Sequence, residues 1–220
     1  MHTGNYTDSY AHKGMRKKLL QEVEDMGITD RSVLEAMDNV PRHFFVDSAF
    51  ERIAYENRAF PIVADQTISQ PYTVAYQTQL LEVKPFDKIL EVGTGSAYQA
   101  CVLAELGAFV YTIERKKELY DYNNKFYYLN RFPKLRRFYG DGFLGLPSYA
   151  PFDKIIITAA APYIPEALID QLKVGGILVA PVDEDDGDGQ WMKRIIKTED
   201  GIKEEILDKF SFVPMLKGKD

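Results

Sequence analysis

The 220-residue chain contains one cysteine, one tryptophan and three histidines, and these scarcities exclude whole classes of site. A single cysteine excludes an internal disulfide, so the sequence gives no sign of an oxidising compartment. The histidines His2, His12 and His43 are scattered, and with one cysteine they form no spacing typical of a metal site. We therefore expect no bound metal.

Long apolar runs and an excess of basic residues are also missing. No run approaches the ~20 residues that cross a bilayer, and the start of the chain shows no basic segment followed by an apolar one. The 27 lysines and arginines face 33 acidic residues, a net charge of −6 that repels polyanions on average. We expect a cytoplasmic protein that binds neither membrane nor nucleic acid, and we interpret its one local basic group as a solvated turn: Arg131, Lys134, Arg136 and Arg137.

The composition is typical of a globular protein, with 45% hydrophobic and 27% charged residues. We predict a single domain over residues 1–220. Residues 1–12 are expected to be loose, 13–76 to form a helical and loop extension, and 77–220 to form a sheet that binds a cofactor. Helical spacing of apolar residues predicts helices over 13–26 and from about 30 to 40, and 44–76 is typical of a lid or an ordered loop region.

Beyond residue 76 the apolar pattern changes to short continuous runs separated by helical stretches. This alternation is typical of a parallel sheet covered on both faces. The predicted parallel strands are 88–92, 109–114, 136–139, 154–159 and 177–181. Residues 190–198 and 205–212, joined at Gly201, predict an antiparallel hairpin at the edge. The predicted fold class is α/β, a Rossmann-like doubly wound sheet, mostly parallel with a C-terminal antiparallel hairpin, plus N-terminal helices.

The strongest local signal is the stretch LEVGTGSAY at residues 90–98, where a strand ends and a helix begins. Gly93 and Gly95 allow a sharp turn and a close approach of the backbone to a ligand. The first amides of the helix point at that ligand. Tyr98 stands where the dinucleotide fingerprint has its third glycine. Its bulk hinders a pyrophosphate, which disfavours a nicotinamide cofactor but not a cofactor without phosphate.

Acidic residues close the next two predicted strands. Glu114 follows the glycine turn by about 20 residues, where a carboxylate can bind both ribose hydroxyls. Asp141 and Gly142 close the third strand, where a carboxylate can accept from an adenine amino group. Either acid alone would usually be a surface residue. Three consecutive strand ends of this kind predict a site for an adenosine-bearing cofactor.

The sequence lacks the residues that other functional motifs require. A Gly-x-Ser-x-Gly elbow is absent, which argues against a serine hydrolase. The acidic stretch 183–189 has Arg194 where an EF-hand needs glutamate, so we interpret it as a solvated hairpin turn. Cys101 and the aromatic stretch 120–132 are interpreted as core and packing residues.

Three segments together resemble one enzyme family. The stretch ISQP at residues 68–71, the stretch VPRHFFV at 40–46 and the glycine turn resemble the protein-L-isoaspartate (D-aspartate) O-methyltransferases, and the likeness runs from about Leu20 to Leu216. It implies S-adenosyl-L-methionine as cofactor and S-adenosyl-L-homocysteine as product. The implied acceptor is the free carboxylate of L-isoaspartyl and D-aspartyl residues in age-damaged proteins, whose methylation initiates repair.

The resemblance also implies roles for individual residues. Ser69 matches the family's catalytic serine and would contact the substrate together with Val213, so that residues 13–76 lie on the substrate side. Ala97 departs from the family, which usually has glycine there. The implied cofactor-binding set is Thr67, Ile68, Glu91, Gly93, Thr94, Gly95, Ser96, Glu114, Asp141 and Gly142.

Several alternatives stay open at this point. Ser69 could cap a helix starting near Pro71, and this role could hold together with the catalytic one. The chain could be a methyltransferase for a small molecule or RNA, although residues 68–71 argue against that, or a catalytically silent cofactor-binding protein if Ala97 and Tyr98 block the pocket. We expect a monomer or a weak dimer.

Overall fold

The N-terminal part of the chain folds into two capped helices, α1 (Tyr10–Asp25) and α2 (Arg31–Asn39). The computed structural model describes residues 7–183, 187 and 189–220. Residues 1–6 and, within the predicted acidic turn, 184–186 and 188 lie outside the described residues. The start of α2 is fixed by Asp30, whose carboxylate accepts hydrogen bonds from the amides of Ser32 and Val33.

Helix α1 begins at Tyr10, three residues earlier than predicted. The reason is a capping box, in which the Ser9 hydroxyl accepts from the His12 amide and the His12 ring accepts from the Ser9 amide. Just before it, both carboxylate oxygens of Asp8 accept from Arg16, at 3.0 and 2.9 Å. The expectation of a loose segment is therefore wrong for residues 8–12.

Residues 40–70 form an ordered connection, in line with the second of the two interpretations given for 44–76, whereas residues 71–76 belong to a helix. Two short 3-10 turns, Arg42–Phe45 and Ser48–Ile53, precede a small hairpin of β1 (Phe60–Ile62) and β2 (Gln66–Ile68). Helix α3 (Pro71–Leu81) follows directly. This route places residues 66–70 above the main sheet.

From residue 88 onward strands and helices alternate. The elements are β3 (Lys88–Val92), α4 (Tyr98–Glu105), β4 (Phe109–Glu114), α5 (Lys117–Lys125), β5 (Leu135–Tyr139), β6 (Phe152–Ile157), α6 (Glu166–Asp170), β7 (Leu172–Asp183), β8 (Gln190–Thr198) and β9 (Gly201–Phe210). Compared with the sequence prediction, β7 starts five residues earlier, and β9 starts directly at the Gly201 turn.

The seven-stranded sheet has the order β5-β4-β3-β6-β7-β8-β9. Strands β3 to β7 pair in parallel, and β8 and β9 pair antiparallel, so the predicted fold class is confirmed. The chain runs outward from β3 to β4 and β5, then returns to the other side of β3 with β6. The carboxyl end of β3 is therefore the switch point of the sheet, where open α/β folds bind their ligands.

Both faces of the sheet are covered by apolar side chains. Helices α1 to α4 pack on one face, where Leu19, Val33 and Cys101 are buried, and the interpretation of Cys101 as a core residue is confirmed. Leu90, Ile155 and the α6 residue Leu168 belong to the core on the opposite face. None of the helices formed by the described residues combines the length and apolar character of a membrane-spanning helix.

Two of the histidines come together, which corrects the interpretation that they are scattered. The rings of His12 and His43 stack with centroids 3.8 Å apart. The ligand atoms of these two rings and of Asp8 all lie within 4.8 Å of one another. These groups are engaged by neighbours, since Asp8 binds Arg16 and His43 Nδ1 lies 2.8 Å from the Tyr55 hydroxyl. The cluster thus joins α1 to the 3-10 turns.

We predict that His43 makes stability fall in mild acid. Burial and the neighbouring His12 lower the pKa of His43 from 6.5 to about 4. Below about pH 6.5 the unfolded chain therefore takes up a proton that the folded chain refuses until about pH 4. The free energy of unfolding therefore falls by up to about 1.4 kcal/mol per pH unit as the pH decreases through that window. Urea unfolding between pH 7 and 4 should show a shallower decline for His43→Gln than for wild type, and identical slopes would contradict the assignment.

Candidate functional site

A pocket of about 780 Å³, including its open mouth, lies at the carboxyl ends of β3 and β4. We call it the strand-end pocket. Its wall combines the glycine turn, the end of β4, the segment before α3 and the last described stretch of the chain. The lining residues are Gln66, Thr67, Ile68, Ser69, Val74, Val92, Gly93, Thr94, Gly95, Ser96, Tyr98, Gln99, Ile113, Glu114, Arg115, Gly142, Thr158, Ala159, Val213, Pro214, Met215 and Leu216.

The glycine turn takes its shape from positive backbone angles. Gly93 has φ +99°, and a side chain there would meet Thr158 Oγ1 at 2.7 Å. Gly95 has φ +50°, and a Cβ atom there would lie 3.9 Å from its nearest neighbour, which is an ordinary contact distance. Ala97 also adopts a left-handed backbone conformation, with φ 68°, and glycine adopts this conformation more readily than alanine. Tyr98 lies on the wall without closing the pocket, so the blocked-pocket alternative loses its support.

Glu114 fixes the glycine turn to the end of β4. Its Oε2 accepts from the Gly95 amide at 2.9 Å, and its Oε1 accepts from the Lys116 amide at 2.9 Å. Asn123 on α5 adds a second tie by donating from Nδ2 to the Gly95 carbonyl. The carboxylate is 5% exposed and lies on the pocket wall. This is the position that the sequence predicted for a ribose-binding acid.

Asp141 lies beside the pocket, and it is Gly142 that lines it. The Asp141 carboxylate accepts from the amides of Phe143, at 2.9 Å, and Gly218, at 2.8 Å. The second bond holds residues 213–218 along the pocket rim. A side chain at Gly142 would come within 2.4 Å of Val92 Cγ1, so only glycine fits here.

Glu91 does not reach the pocket. It is 0% exposed beneath the glycine turn, and neither carboxylate oxygen has a hydrogen-bond partner among the described residues. Strand alternation explains this, because Glu91 and Ile89 point to the α4 face. Burial raises the pKa of Glu91 to about 8, and the nearby Glu114 carboxylate adds to the rise. The structure thus corrects the expected direct cofactor contact.

Ser69 lies on the wall together with Thr67 and Ile68. Its carbonyl accepts from Arg42 Nη2 at 2.7 Å. The residue before α3 is Gln70, and no side chain of the described residues caps this helix. The alternative role of Ser69 as a helix cap is therefore wrong.

Beyond Ser69 the surface continues into a second depression, which we call the outer groove. Its residues are Ala59, Thr67, Ser69, Gln70, Tyr72, Thr73, Thr158, Gly189, Lys209, Phe210, Ser211, Phe212 and Val213. The strand-end pocket and the outer groove share Thr67, Ser69, Thr158 and Val213. Ser69 and Val213, the two predicted substrate contacts, therefore stand at the boundary between the two spaces.

Sequence reasoning missed several wall residues. Arg115 directly follows Glu114, and Thr158 directly follows β6, so the strand-end argument could have found both. Met215 carried no such signal. It reaches the wall because the Val213 carbonyl accepts from the Ala160 amide and the Met215 amide donates to the Ala160 carbonyl, a tertiary pairing.

Comparisons with known proteins agree with this geometry. A model of the family described as "Protein-L-isoaspartate(D-aspartate) O-methyltransferase (PCMT)" matches residues 14–220. A protein-L-isoaspartate O-methyltransferase of Flavobacterium johnsoniae is 53% identical over 215 residues, covering 97% of this chain and 99% of the relative. One of Dictyoglomus thermophilum is 45% identical over 223 residues, covering 97% and 94%.

Solved structures give the same picture. A structure described as a putative protein-L-isoaspartate O-methyltransferase from Plasmodium falciparum, in complex with S-adenosyl-L-homocysteine, superposes with a TM-score of 0.79 at 26% identity. The superposed region covers 92% of this chain and 98% of the Plasmodium falciparum chain. Another protein-L-isoaspartate O-methyltransferase structure has a TM-score of 0.82 at 22% identity, covering 90% of this chain and 65% of its own, and supports the fold.

The sheet order, the glycine turn at its switch point and the acid at the next strand end define an open α/β protein with its ligand pocket at the switch point. The matches over nearly the whole chain are more specific. The chain belongs to the protein-L-isoaspartate (D-aspartate) O-methyltransferase family.

We predict that Glu91→Gln stabilises the protein at neutral pH. The folded chain keeps Glu91 protonated up to about pH 8, whereas the unfolded chain ionises it above about 4.5. The free energy of unfolding therefore falls as the pH rises between these values. Glutamine does not ionise in either state, so the variant does not show this fall. Urea unfolding at pH 7.5 should show a gain of about 1–3 kcal/mol.

At pH 4.5 the Glu91→Gln variant and wild type should unfold alike. Glu105→Gln, an exposed substitution on the same helix-covered face, is the matched control and should change neither value. A gain of equal size at both pH values would contradict a titrating Glu91.

Proposed function

We propose that this protein transfers the methyl group of S-adenosyl-L-methionine to the free carboxylate of L-isoaspartyl residues, with the donor in the strand-end pocket and the acceptor peptide in the outer groove. The observation that carries the proposal is the shared boundary of the two spaces at Thr67, Ser69, Thr158 and Val213. A methyl group can pass only where donor and acceptor meet within van der Waals reach.

The strand-end pocket suits an adenosine with a positive sulfonium and no phosphate. Gly93, Thr94, Gly95 and Ser96 would hold the methionine part through backbone groups, next to Thr67 and Ile68. Glu114 would accept from the ribose hydroxyls, since each of its oxygens has spent one lone pair on a backbone amide and keeps another. When bound, the cofactor supplies the activated methyl group.

We propose that Gly142 receives the adenine ring and that Asp141 accepts from its amino group. In support, each Asp141 oxygen accepts one backbone amide and retains a second acceptor site. The Gly218 bond adds a structural role, because it holds the rim that includes Met215 over this end of the pocket.

The outer groove suits an anionic acceptor. Among its described residues there is no carboxylate, and Lys209 is a cation. A substrate carboxylate, with an ordinary pKa near 4, is ionised at neutral pH and is already a nucleophile. The protein therefore needs no general base at the point of transfer. The neutral Ser69 hydroxyl can orient the carboxylate without the loss of nucleophilicity that a direct salt bridge would cause.

Val213 is suited to bind the peptide backbone. Its carbonyl accepts from the Ala160 amide and keeps a second lone pair, so contact with a peptide would use this carbonyl or the Val213 amide. An RNA acceptor would need a basic surface, which this groove of mostly neutral residues does not offer. We further propose a metal-free cytoplasmic enzyme, monomeric or weakly dimeric, that repairs age-damaged proteins.

The activity is tested with methyl-labelled S-adenosyl-L-methionine and two peptides that differ only in an isoaspartyl or aspartyl linkage. We expect base-labile label on the isoaspartyl peptide alone. Equal labelling of both peptides, or of neither, would overturn the assignment of substrate.

Ser69→Ala should lower turnover of the isoaspartyl peptide by roughly tenfold to a hundredfold, the scale of losing one hydrogen bond to a charged group. Initial rates at saturating cofactor measure this effect. Ser148→Ala, an exposed serine distant in sequence, is the control. If Ser69→Ala folds and turns over at the wild-type rate, the hydroxyl has no part in orienting the acceptor.

Asp141→Ala should weaken binding of S-adenosyl-L-homocysteine. One hydrogen bond to a charged group contributes about 1.5–3 kcal/mol, which corresponds to roughly tenfold to a hundredfold in Kd. Titration calorimetry measures the affinity, and Asp200→Ala in the β8–β9 turn is the control. An unchanged Kd would remove Asp141 from the cofactor site.

A further inference from the structure

Arg42 is a buried arginine that binds three separate segments of the chain. Its side chain is 0% exposed. Nε donates to the Ala54 carbonyl at 3.1 Å, and Nη2 donates to the carbonyls of Ser69 at 2.7 Å and Arg58 at 3.4 Å. The guanidinium therefore fixes the backbone of Ser69 relative to the 3-10 turns that precede β1.

Among the described residues, no acidic group compensates the charge of Arg42. Within the described part of the chain, no carboxylate lies within salt-bridge distance of it, and its Nη1 is buried without a hydrogen-bond partner. The pKa of Arg42 is lowered by burial to about 10, so the group remains a cation at neutral pH. Arg16, the other buried arginine, is by contrast bound by both Asp8 and Asp38.

A buried guanidinium without an ion-pair partner favours the approach of an anion, because the three carbonyl groups and the Tyr98 ring offset its loss of hydration only in part. The surroundings of Arg42 indicate from which side an anion can come. Its guanidinium carbon lies 5.1 Å from the centre of the Tyr98 ring, and both Tyr98 and Ser69 line the strand-end pocket. Arg42 thus lies directly behind the pocket wall at the boundary with the outer groove.

We propose that Arg42 is a positioning residue of the transfer site, which holds the Ser69 backbone and, through its uncompensated charge, favours a bound carboxylate at the Ser69 boundary. The inference rests on the proposed function. Two carboxylates can occupy this region, that of the isoaspartyl acceptor and the α-carboxylate of the cofactor's methionine. Because the charge stays behind the wall, it attracts the acceptor carboxylate without forming the direct ion pair that would reduce its nucleophilicity.

The test compares Arg42→Met, which removes the charge, with Arg42→Lys, which keeps it. Arg31→Met, which removes an exposed arginine from α2, is the matched control. Calorimetry in the presence of S-adenosyl-L-homocysteine measures binding of an isoaspartyl peptide and of the same peptide with its free α-carboxylate converted to a neutral amide. A second titration measures S-adenosyl-L-homocysteine against 5′-methylthioadenosine, which has no carboxylate.

In Arg42→Met we expect affinity for one carboxylate ligand to fall at least about tenfold, with its neutral counterpart changing less than about threefold. If the affinity falls selectively for the isoaspartyl peptide, Arg42 acts on the acceptor carboxylate. If it falls selectively for S-adenosyl-L-homocysteine, Arg42 acts on the methionine carboxylate. Arg42→Lys should restore the preference for the charged ligand. Equal loss for charged and neutral ligands, or no restoration by lysine, would overturn the role of the charge.

If Arg42→Met fails to fold, wild type and Arg42→Lys still test the inference. Both should bind the isoaspartyl peptide or S-adenosyl-L-homocysteine more tightly than the neutral counterpart, and equal binding of both pairs would overturn it. Turnover of the isoaspartyl peptide by wild type is measured in parallel. Absence of that turnover would refute the proposed function itself, whereas normal turnover with charge-independent binding would refute only the role of Arg42.

Discussion

The pocket depends on the hydrogen bond that joins the Glu114 carboxylate to the Gly95 amide. A glycine turn is flexible by itself, because glycine loses the most conformational freedom when it is ordered. The carboxylate at the end of β4 holds the turn after β3 at a fixed height above the sheet, and the Asn123 amide supports it from α5. The parallel pairing of β3 with β4 brings these groups together, so the sheet itself sets the geometry of the site.

The sheet and the acid at the end of β4 could be predicted because their determinants are local. A continuous apolar run marks a buried strand, and Glu114 stands where such a run ends. The expected cofactor contact of Glu91 came from its closeness to the glycine turn in the sequence. Closeness in sequence does not determine on which face of the sheet a side chain lies, and Glu91 lies on the face covered by α4. The position of Met215 and the clustering of His12 with His43 were not predictable, since both arise from tertiary pairing between distant segments.

Polar groups with incomplete hydrogen bonding concentrate around this site. Glu91, Gln99, Asn123 and Arg42 each have at least one buried atom without a partner among the described residues. Most buried polar groups in proteins are satisfied, so such a concentration needs a reason. Gln99 lines the strand-end pocket, and Asn123 holds its glycine turn through a hydrogen bond to the Gly95 carbonyl, so these two atoms lie at or next to the ligand site.

The protonation of Glu91 and the charge of Arg42 have a common consequence for the electrostatics of the transfer. The reaction brings a cationic donor and an anionic acceptor together and leaves two neutral products, so strong fixed charges in direct contact with either would stabilise the reactants more than the transition state. Burial keeps Glu91 neutral at pH 7 beneath the donor pocket, so it does not pair with the sulfonium. Arg42 retains its charge but lies behind Ser69, where it acts on the acceptor through the wall. Thr67, Ser69 and Thr158 line both the strand-end pocket and the outer groove, so in the proposed function their neutral hydroxyls would be available to orient the partners without binding either ion too tightly.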